Sequence, residues 1–479
     1  MPVTVTRTSW DALRSLPTTA RPVVDPADVE VPEGYELEPV LVGLSFPCGM
    51  GFAPDGSLFL LEGGSTWPTR PYMRARILRL DTATGAMDEI ASEVLGGPRG
   101  VTWRDGTLYV TVKGGRHAHV DRIDPSTGER TTIVDGLPSG GWHEPSDPVF
   151  GPDGLLYFGN GSVSQNGVCL PAGFTVDLAK HPTACDVPGQ DVTLTGNNVW
   201  SRNPTAPFPY LAETGPFKPF GRRAEKGEVI RGHLKCSSGL WRCHPDGSGL
   251  ELLAWGLRNP YGLAFSEQGE LYASDNDLEE KGERAIADDP DRVWHIRNAR
   301  TPHGSVSTPD WYGFPDMCAD GLPVDHESHR PAKGKAAERL IADPPPWAGP
   351  ATYLEKPHTC FCHMEFCRSD AFGHRRALFV ASFGTYAPLN TPDPNALTRG
   401  FCITKVDVDS GSGEAFLRNR RPGPASAHPG SGGIERPVDC KFHPDGRSLY
   451  LLDFGVTAVA PTHVVAYART GVLWRLTRI

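Results

Sequence analysis

Short runs of apolar residues alternate along this chain with polar turns that contain glycine or proline. The pattern is clearest over residues 255–277, where an apolar run at 261–265 precedes a turn at 267–269 and a second run at 271–274. Two β-prone runs around a glycine-bearing turn are typical of a β-hairpin. The pattern therefore predicts a pair of antiparallel strands in this stretch.

The same hairpin pattern returns along the chain. Further copies begin at Phe46, Gly97, His143 and Arg436, and a looser copy begins at Cys360. Most copies are followed by a third run and several by a fourth, with turn residues between them. Four strands in each of six copies predict an all-β fold, namely a six-bladed β-propeller with four-stranded antiparallel blades.

The two ends of the chain predict how the propeller closes. Residues 35–44 form an apolar run with no neighbouring run to pair with, and the last run, 471–479, belongs to a copy that lacks a fourth strand. Pairing these two runs would remove exposed sheet edges. We therefore expect the N-terminal strand to close the ring, with residues 1–34 as an N-terminal arm and 35–479 as the propeller.

Two stretches interrupt the repeats. Residues 163–236 form a long insertion after the second strand of the third copy, and residues 276–310 place acidic and turn residues around a single strand. Loops of this length inside a compact domain are usually functional or disordered. We expect the first insertion to lie over the mouth of the propeller channel and to cover a cleft there.

Composition narrows the classes of partner and the compartment. The chain has 47 basic and 57 acidic residues, a net charge of −10, which disfavours nucleic acid or an anionic membrane as partner. No apolar run is long enough to span a bilayer. The N-terminal residues contain no apolar signal region, so we expect a cytoplasmic protein as written, or a periplasmic or secreted one if a signal was removed. Eleven cysteines do not settle the compartment.

Candidate functional residues share one position in the repeat. Each copy begins with a turn, called here the leading turn, that precedes its first strand and usually contains a proline. His143, Arg258 with Asn259, and Arg436 occupy the leading turns of three copies. In a propeller these turns surround the channel mouth, and polar residues that converge there are not what a packed core uses. Their convergence indicates a functional site.

Several of these motifs resemble the soluble quinoprotein sugar dehydrogenases, the glucose/sorbosone dehydrogenase propellers. The resemblance spans nearly the whole propeller and is carried by WGLRNPYGLAF with LYASDND, by HEPSDPVFGPDGLLYFGNGSVSQNG, by DWYGFPD and by RPVDCKFHPDGRSLYLLDFG. It implies a dehydrogenase that oxidises a sugar or related alcohol and passes hydride to pyrroloquinoline quinone (PQQ) with the help of calcium. It also implies a small-molecule substrate and an electron acceptor as partners.

The resemblance assigns roles to particular residues. His143 matches the base that takes the hydroxyl proton. Arg258, at the catalytic centre, and Asn259 match residues that contact the quinone, and Arg436 matches a basic residue near its carboxylates. Arg399 is the nearest counterpart of a further basic residue that contacts the quinone. The calcium ion, held largely by backbone carbonyl groups, maps to Asn276, Asp277 and Leu278.

A second hypothesis comes from cysteines near the same turns. Cys360, Cys362 and His363 lie at the start of the fifth copy, and Cys48 holds the equivalent position in the first. Thiolates with an imidazole suit zinc, copper(I) or iron, so a metalloenzyme using this site, with His143 and Glu144 as base or ligands, is an alternative. Buried or disulfide-paired cysteines explain the same spacing. A propeller that binds a ligand without catalysis is the third hypothesis.

Overall fold

The fold is an all-β six-bladed propeller whose blades are mostly four-stranded and antiparallel, as the repeat pattern predicts. The computed structural model describes residues 23–63, 75–92, 97–114, 117–141, 143, 145–171, 181–204, 208, 210–461 and 463–479. Within these ranges the only helical segments are 3₁₀ turns, at Pro26–Asp28, Arg297–Arg300, Glu327–His329, Pro394–Thr398 and Ala425–Ala427. No helix of the described residues is long and apolar enough to cross a membrane.

The strands follow the predicted apolar runs closely. In chain order they are β1 (Val29–Glu30), β2 (Tyr35–Leu44), β3 (Gly49–Phe52), β4 (Ser57–Glu62), β5 (Arg76–Asp81), β6 (Met87–Ser92), β7 (Gly97–Arg104), β8 (Thr107–Lys113), β9 (His117–Ile123), β10 (Arg130–Pro138), β11 (Val149–Phe150), β12 (Leu156–Asn160), β13 (Val192–Thr193), β14 (Val199–Arg202), β15 (Leu211–Thr214), β16 (Val229–Ile230), β17 (Gly239–Cys243), β18 (Glu251–Trp255), β19 (Pro260–Phe265), β20 (Leu271–Asp275), β21 (Asp291–His295), β22 (Asp310–Trp311), β23 (Tyr353–Glu355), β24 (Phe361–Phe366), β25 (Leu378–Ser382), β26 (Cys402–Asp407), β27 (Ser412–Asn419), β28 (Pro437–Phe442), β29 (Ser448–Asp453), β30 (Thr457–Ala460), β31 (His463–Ala466) and β32 (Gly471–Arg478).

The chain divides into two compact units. The first contains the described residues up to Val110, 123–130 and the chain from His358 onward. Its sheets have the orders β3-β4-β5-β6, β1-β27-β26-β25-β24 and β2-β32-β29-β28. The N-terminal strand β2 therefore joins the last blade, with Tyr35 opposite Arg478, which confirms that prediction. Strand β1, inside the predicted arm, adds a fifth strand to the blade before it.

The second unit contains residues 111–122 and 131–357. Its two blades have the orders β11-β12-β17-β18-β22, with β22 parallel to β18, and β19-β20-β21-β23. The long insertion contributes two small strand pairs, β13 with β16 and β14 with β15. A further sheet has the order β10-β9-β8-β7.

The second strand of most blades is buried along its whole length. Strands β20, β25 and β29 contain no residue that is even half-exposed. A strand covered on both faces needs apolar residues at successive positions, which explains why these runs stand out in the sequence. In the second unit, Trp294, Leu263 and Tyr312 belong to the cluster that packs the fourth blade.

Carboxylates at the end of three second strands hold the leading turns. Asp275 accepts a hydrogen bond from the amide of Asn259 at 2.6 Å. Asp453 accepts bonds from the amides of Glu435 and Arg436 at 2.7 and 2.8 Å. Glu62 accepts one from the amide of Ser45. Each acid is the last residue of a mostly buried strand, so its position is fixed. Its hydrogen bonds then hold the turn that bears candidate functional residues.

Candidate functional site

His143 is buried, and hydrogen bonds fix which of its ring nitrogens carries the proton. Its Nδ1 lies 2.7 Å from the hydroxyl oxygen and 3.0 Å from the carbonyl oxygen of Ser162. The Ser162 hydroxyl donates its own proton to the carbonyl oxygen of Ser164 at 2.6 Å. Both oxygens of Ser162 can therefore only accept, so Nδ1 of His143 must donate. Nε2 is then an unprotonated nitrogen.

The electrostatic surroundings keep His143 neutral. Burial is the largest cause that lowers its pKa, and the positive charges of Arg258 and Lys113 lower the pKa further, well below the ordinary value of 6.5. Nε2 is buried and has no hydrogen-bond partner among the described residues. A neutral imidazole with an unused lone pair is equipped to accept a proton at neutral pH.

Gly161 allows His143 and Asn259 to lie close together. A Cβ atom added at position 161 would lie 2.5 Å from Cβ of His143 and 2.9 Å from Oδ1 of Asn259. Both distances are too short for any larger residue. Glycine at 161, directly after strand β12, is thus a steric requirement of this site.

Arg258, which precedes Asn259, is a buried cation paired with a carboxylate. Its Nη2 donates to Glu279 at 3.0 Å and to the side-chain oxygen of Gln165, and its Nε donates to the carbonyl of Gln165 at 2.9 Å. Asn259 in turn donates to the side chain of Asn276 at 2.7 Å. The Arg258–Asn259 pair is therefore linked to the first residue of the predicted calcium loop within the second unit.

The predicted calcium loop directs its amides toward two buried acids. The amide of Leu278 donates to Asp289 at 2.7 Å, and the amide of Asp277 lies 3.3 Å from Asp291. With amides directed at protein carboxylates, the groups that this backbone offers to a cation are carbonyl oxygens, which are the ligands that calcium takes. The loop at Asn276, Asp277 and Leu278 fits the prediction in this respect.

In the first unit, Arg436 is enclosed on several sides. Its guanidinium carbon lies 5.1, 4.8 and 5.0 Å from the ring centres of Phe383, Tyr386 and Phe401. Its Nη1 donates to the carbonyl of Gly384 at 3.0 Å, and burial lowers its pKa. Cation–π contacts and carbonyl groups, rather than a carboxylate, surround this charge.

The other predicted residues of the first unit have protein partners of their own. Arg399 forms an ion pair with Asp393 at 2.8 Å. The thiol of Cys48 donates to the carbonyl of Pro98 at 2.9 Å. Both of these groups are engaged within the unit.

The cysteine-rich segment, residues 358–367, does not bring its candidate metal ligands close together. His363 lies 3.2 Å from the carboxylate of Asp439, and both side chains are fully buried. In the described part of the chain, no three of Cys48, Cys360, Cys362 and His363 bring ligand atoms within 4.8 Å of one another. The transition-metal site stays a prediction, and Glu144, its suggested helper, lies outside the described residues.

Sequence reasoning missed the groups that hold the base. Ser162 and Gln165 belong to the SVSQNG segment, which is part of the family resemblance. Nothing in their spacing shows that Ser162 bonds to His143 or that Gln165 bonds to Arg258. Glu279 follows the predicted calcium loop by one residue. The acids that hold the leading turns were visible in the repeats, because the second strand of three copies ends in an acid, namely Glu62, Asp275 and Asp453.

Comparisons with known proteins identify the fold. No protein-family model and no curated protein matches the chain. Among solved structures, it is similar to the PQQ domain of pyranose dehydrogenase from Coprinopsis cinerea, at 16% identity and a TM-score of 0.55 over 94% of this chain and 97% of that one.

Two other solved structures have the same fold. The calcium structure of the Trichoderma reesei protein of Carbohydrate-Active Enzymes Family AA12 is 14% identical, with a TM-score of 0.55 over 96% of this chain and 98% of that one. The PQQ-bound aldose sugar dehydrogenase of Streptomyces coelicolor is 14% identical, with a TM-score of 0.50 over 94% and 99%. At these identities the similarity shows a shared propeller fold, whose representatives here include sugar dehydrogenases.

Proposed function

We propose that this protein is an oxidoreductase that oxidises a sugar or related alcohol, with pyrroloquinoline quinone and calcium as cofactors. The observation that carries the proposal is the buried, unprotonated Nε2 of His143, set by the hydrogen bonds of Ser162. Oxidation of an alcohol requires the hydroxyl group to lose a proton as hydride leaves its carbon, and a neutral imidazole is suited to accept that proton.

The chain's own residues perform the proton transfer. A substrate hydroxyl at Nε2 of His143 gives its proton to that nitrogen. The imidazolium that forms keeps its Nδ1–H bonded to Ser162, which favours the charged ring. Arg258 disfavours the same charge and so assists the later loss of the proton.

The cofactors supply the redox chemistry. When bound, the quinone offers an electrophilic carbonyl carbon that accepts hydride, and calcium polarises that carbonyl. Arg258 and Asn259 would hold the quinone, and the carbonyl oxygens of Asn276, Asp277 and Leu278 would hold the cation. The link from Asn259 to Asn276 joins these two groups of residues.

Two predicted cofactor residues have protein partners in this structure. Arg399 is ion-paired with Asp393, and Arg436 is enclosed by aromatic rings and backbone carbonyls. Each guanidinium is thus already engaged by groups of the protein. The proposal therefore rests on the residues of the second unit and assigns no cofactor contact to Arg399 or Arg436.

Reconstitution tests the proposal. Purified protein is incubated with the quinone and calcium, and the reduction of a redox dye is followed with a panel of aldoses and polyols. We expect turnover that requires both cofactors and falls by about 10²-fold or more in His143→Ala, since a positioned general base contributes about that much. The exposed His326 gives the control His326→Ala, which should keep full activity.

The same samples provide measurements that do not depend on turnover. Quinone binding is followed by absorbance, and metal content by elemental analysis, which separates calcium from zinc, copper and iron. Absence of quinone binding together with absence of dye reduction for every substrate contradicts the proposal. Full activity in His143→Ala contradicts the role of the base.

A further inference from the structure

The loop that fixes His143 is itself fixed by an acid from the long insertion. Asp186 is buried, and its Oδ1 accepts a hydrogen bond from the amide of Val163 at 2.7 Å. Its Oδ2 accepts one from the amide of Ser164 at 3.2 Å and another from the Ser164 hydroxyl. One carboxylate thus binds two consecutive amides directly after Ser162.

Asp186 receives a complete set of donors. Besides the three bonds from Val163 and Ser164, the hydroxyl of Ser237 donates to Oδ1 at 2.9 Å. Each carboxylate oxygen therefore accepts two hydrogen bonds. Four donors around one buried acid favour its ionised form, although burial raises its pKa.

A series of hydrogen bonds connects Asp186 to His143 through Ser164 and Ser162. Asp186 orients Ser164, whose carbonyl accepts the hydroxyl proton of Ser162. Ser162 can then only accept at its Oγ, so it receives the Nδ1–H of His143. If the Ser162 hydroxyl reversed, it could donate to Nδ1, and only the Ser162 carbonyl at 3.0 Å would still require that nitrogen to carry a proton.

The backbone around the loop is tightly packed, which makes this placement rigid. A Cβ atom at Gly141 would lie 1.9 Å from the carbonyl oxygen of Val163. Val163, Ser164 and Ser162 are all buried. A loop held both by a carboxylate and by close backbone contact has few alternative positions.

We propose that Asp186 is a positioning residue for His143. It holds the Ser162–Ser164 loop in the one arrangement that protonates Nδ1 and leaves Nε2 as the base. It acts through this geometry, by way of Ser164 and Ser162. The importance of this role for catalysis rests on the proposed function, but the tautomer can be measured without any turnover.

Nuclear magnetic resonance of protein labelled with ¹⁵N-histidine tests the inference. The His143 signals are assigned by their loss in His143→Asn. In the unmodified protein we expect Nδ1 to be the protonated nitrogen, with no titration between pH 8 and 6. In Asp186→Asn, an NH₂ group faces the donors of the loop, so we expect a mixture of tautomers or a titration within this range.

Ser237→Ala is the matched control. It removes the bond that Ser237 donates to Asp186 and the bond that it accepts from the amide of Val187, but it leaves the bonds of Val163 and Ser164 to Asp186 in place, so the His143 signals should stay as they are. If Asp186→Asn fails to fold, as judged by circular dichroism, Ser164→Ala replaces it. That variant removes the bond that the Ser164 hydroxyl donates to Asp186 and the bond that it accepts from the amide of Gly167, and it keeps the Ser164 carbonyl.

The outcomes separate this inference from the proposed function. Unchanged His143 signals in a folded Asp186→Asn protein, or in Ser164→Ala where that variant is used, overturn the positioning role. An altered tautomer supports it even if no substrate is ever turned over. Where turnover is found, we also expect Asp186→Asn to lower kcat by about tenfold or more with little change in KM, as loss of base alignment requires.

Discussion

At the scale of single residues, the position of the candidate base depends on the absence of a side chain at a neighbouring residue. His143 and Asn259 can lie close together only because residue 161 has no side chain. Their partners Ser162 and Asp275 then fix each of them from the other side. Adding one carbon atom at residue 161, which takes no part in the chemistry, should therefore disturb the site.

Gly161→Ala should lower activity much more than stability. The added Cβ would lie 2.5 Å from Cβ of His143, so the base must move, and a displacement of about 1 Å can reduce the rate by roughly 10²-fold. The measurement is dye reduction by the reconstituted protein, beside its melting temperature. Gly227→Ala is the control: it meets open space at a φ of +78°, so it should lower stability by about 1 kcal/mol and leave activity unchanged. Equal activity in the two variants would contradict the steric role of Gly161.

Glu435 should make the protein less stable as the pH rises. Burial and the charge of Asp453 raise its pKa to about 8 from an ordinary 4.5, while Ser426 donates a hydrogen bond to it. Between these two values the folded protein holds a proton that the unfolded chain releases. Stability therefore falls as the pH rises through this window, by an amount on the order of a few kcal/mol for one such group.

Urea denaturation at pH 5.5 and pH 8.5 measures this effect. Glu435→Gln keeps an acceptor for Ser426 and removes the titration, so its loss of stability between the two pH values should be smaller than that of the unmodified protein. The exposed Glu33 gives the control Glu33→Gln, which should behave like the unmodified protein. An identical pH dependence in all three proteins would show that Glu435 titrates normally.

At the scale of strands and turns, the pattern of apolar runs predicted most of the fold. Strands such as β20 and β29 are buried throughout, so their sequences are nearly continuous apolar runs that single-sequence reasoning can find. The pairing of β2 with β32 followed from the need to cover two edges. The repeats also placed His143, Arg258 and Arg436 in equivalent turns.

The groups that support the site were not predictable in the same way. Asp186 is separated from Ser164 by 22 positions within an insertion that has no periodicity, and only the folded chain brings it to the loop. Likewise, nothing in the sequence shows that three aromatic rings enclose Arg436. Periodicity reports burial along a strand, whereas contacts between loops depend on the tertiary fold.

At the scale of the whole chain, residues from the N-terminal segment complete two blades. Strand β1 adds to the outer edge of one blade, and the side chain of Glu30 pairs with Arg418 there at 2.9 Å on the exposed surface. Strand β2 completes the last blade along eight pairs of residues, with Leu37 and Leu44 buried against it. A two-residue strand with one buried side chain, Val29, contributes less stability than a ten-residue strand with two.

Truncation should separate these two contributions. We expect a chain that begins at Tyr35 to fold with a lower melting temperature, because it loses β1 with the buried Val29 and the bonds of Asp25 and Asp28 to Gly432. A chain that begins at Ser45 also loses β2 and exposes the edge of β32, so it should aggregate or melt far lower. Size-exclusion chromatography and thermal denaturation measure both effects.

A synthetic peptide provides the decisive control for the shorter chain. A peptide of residues 35–44 added to the protein that begins at Ser45 should restore its melting temperature, because it can supply the missing strand by adding to β32. The same peptide with proline in place of Leu37 lacks one backbone donor and should not restore it, since proline disrupts strand pairing. Rescue by both peptides would show nonspecific binding. Full stability of the chain that begins at Ser45 without any peptide would show that the last blade does not need its fourth strand.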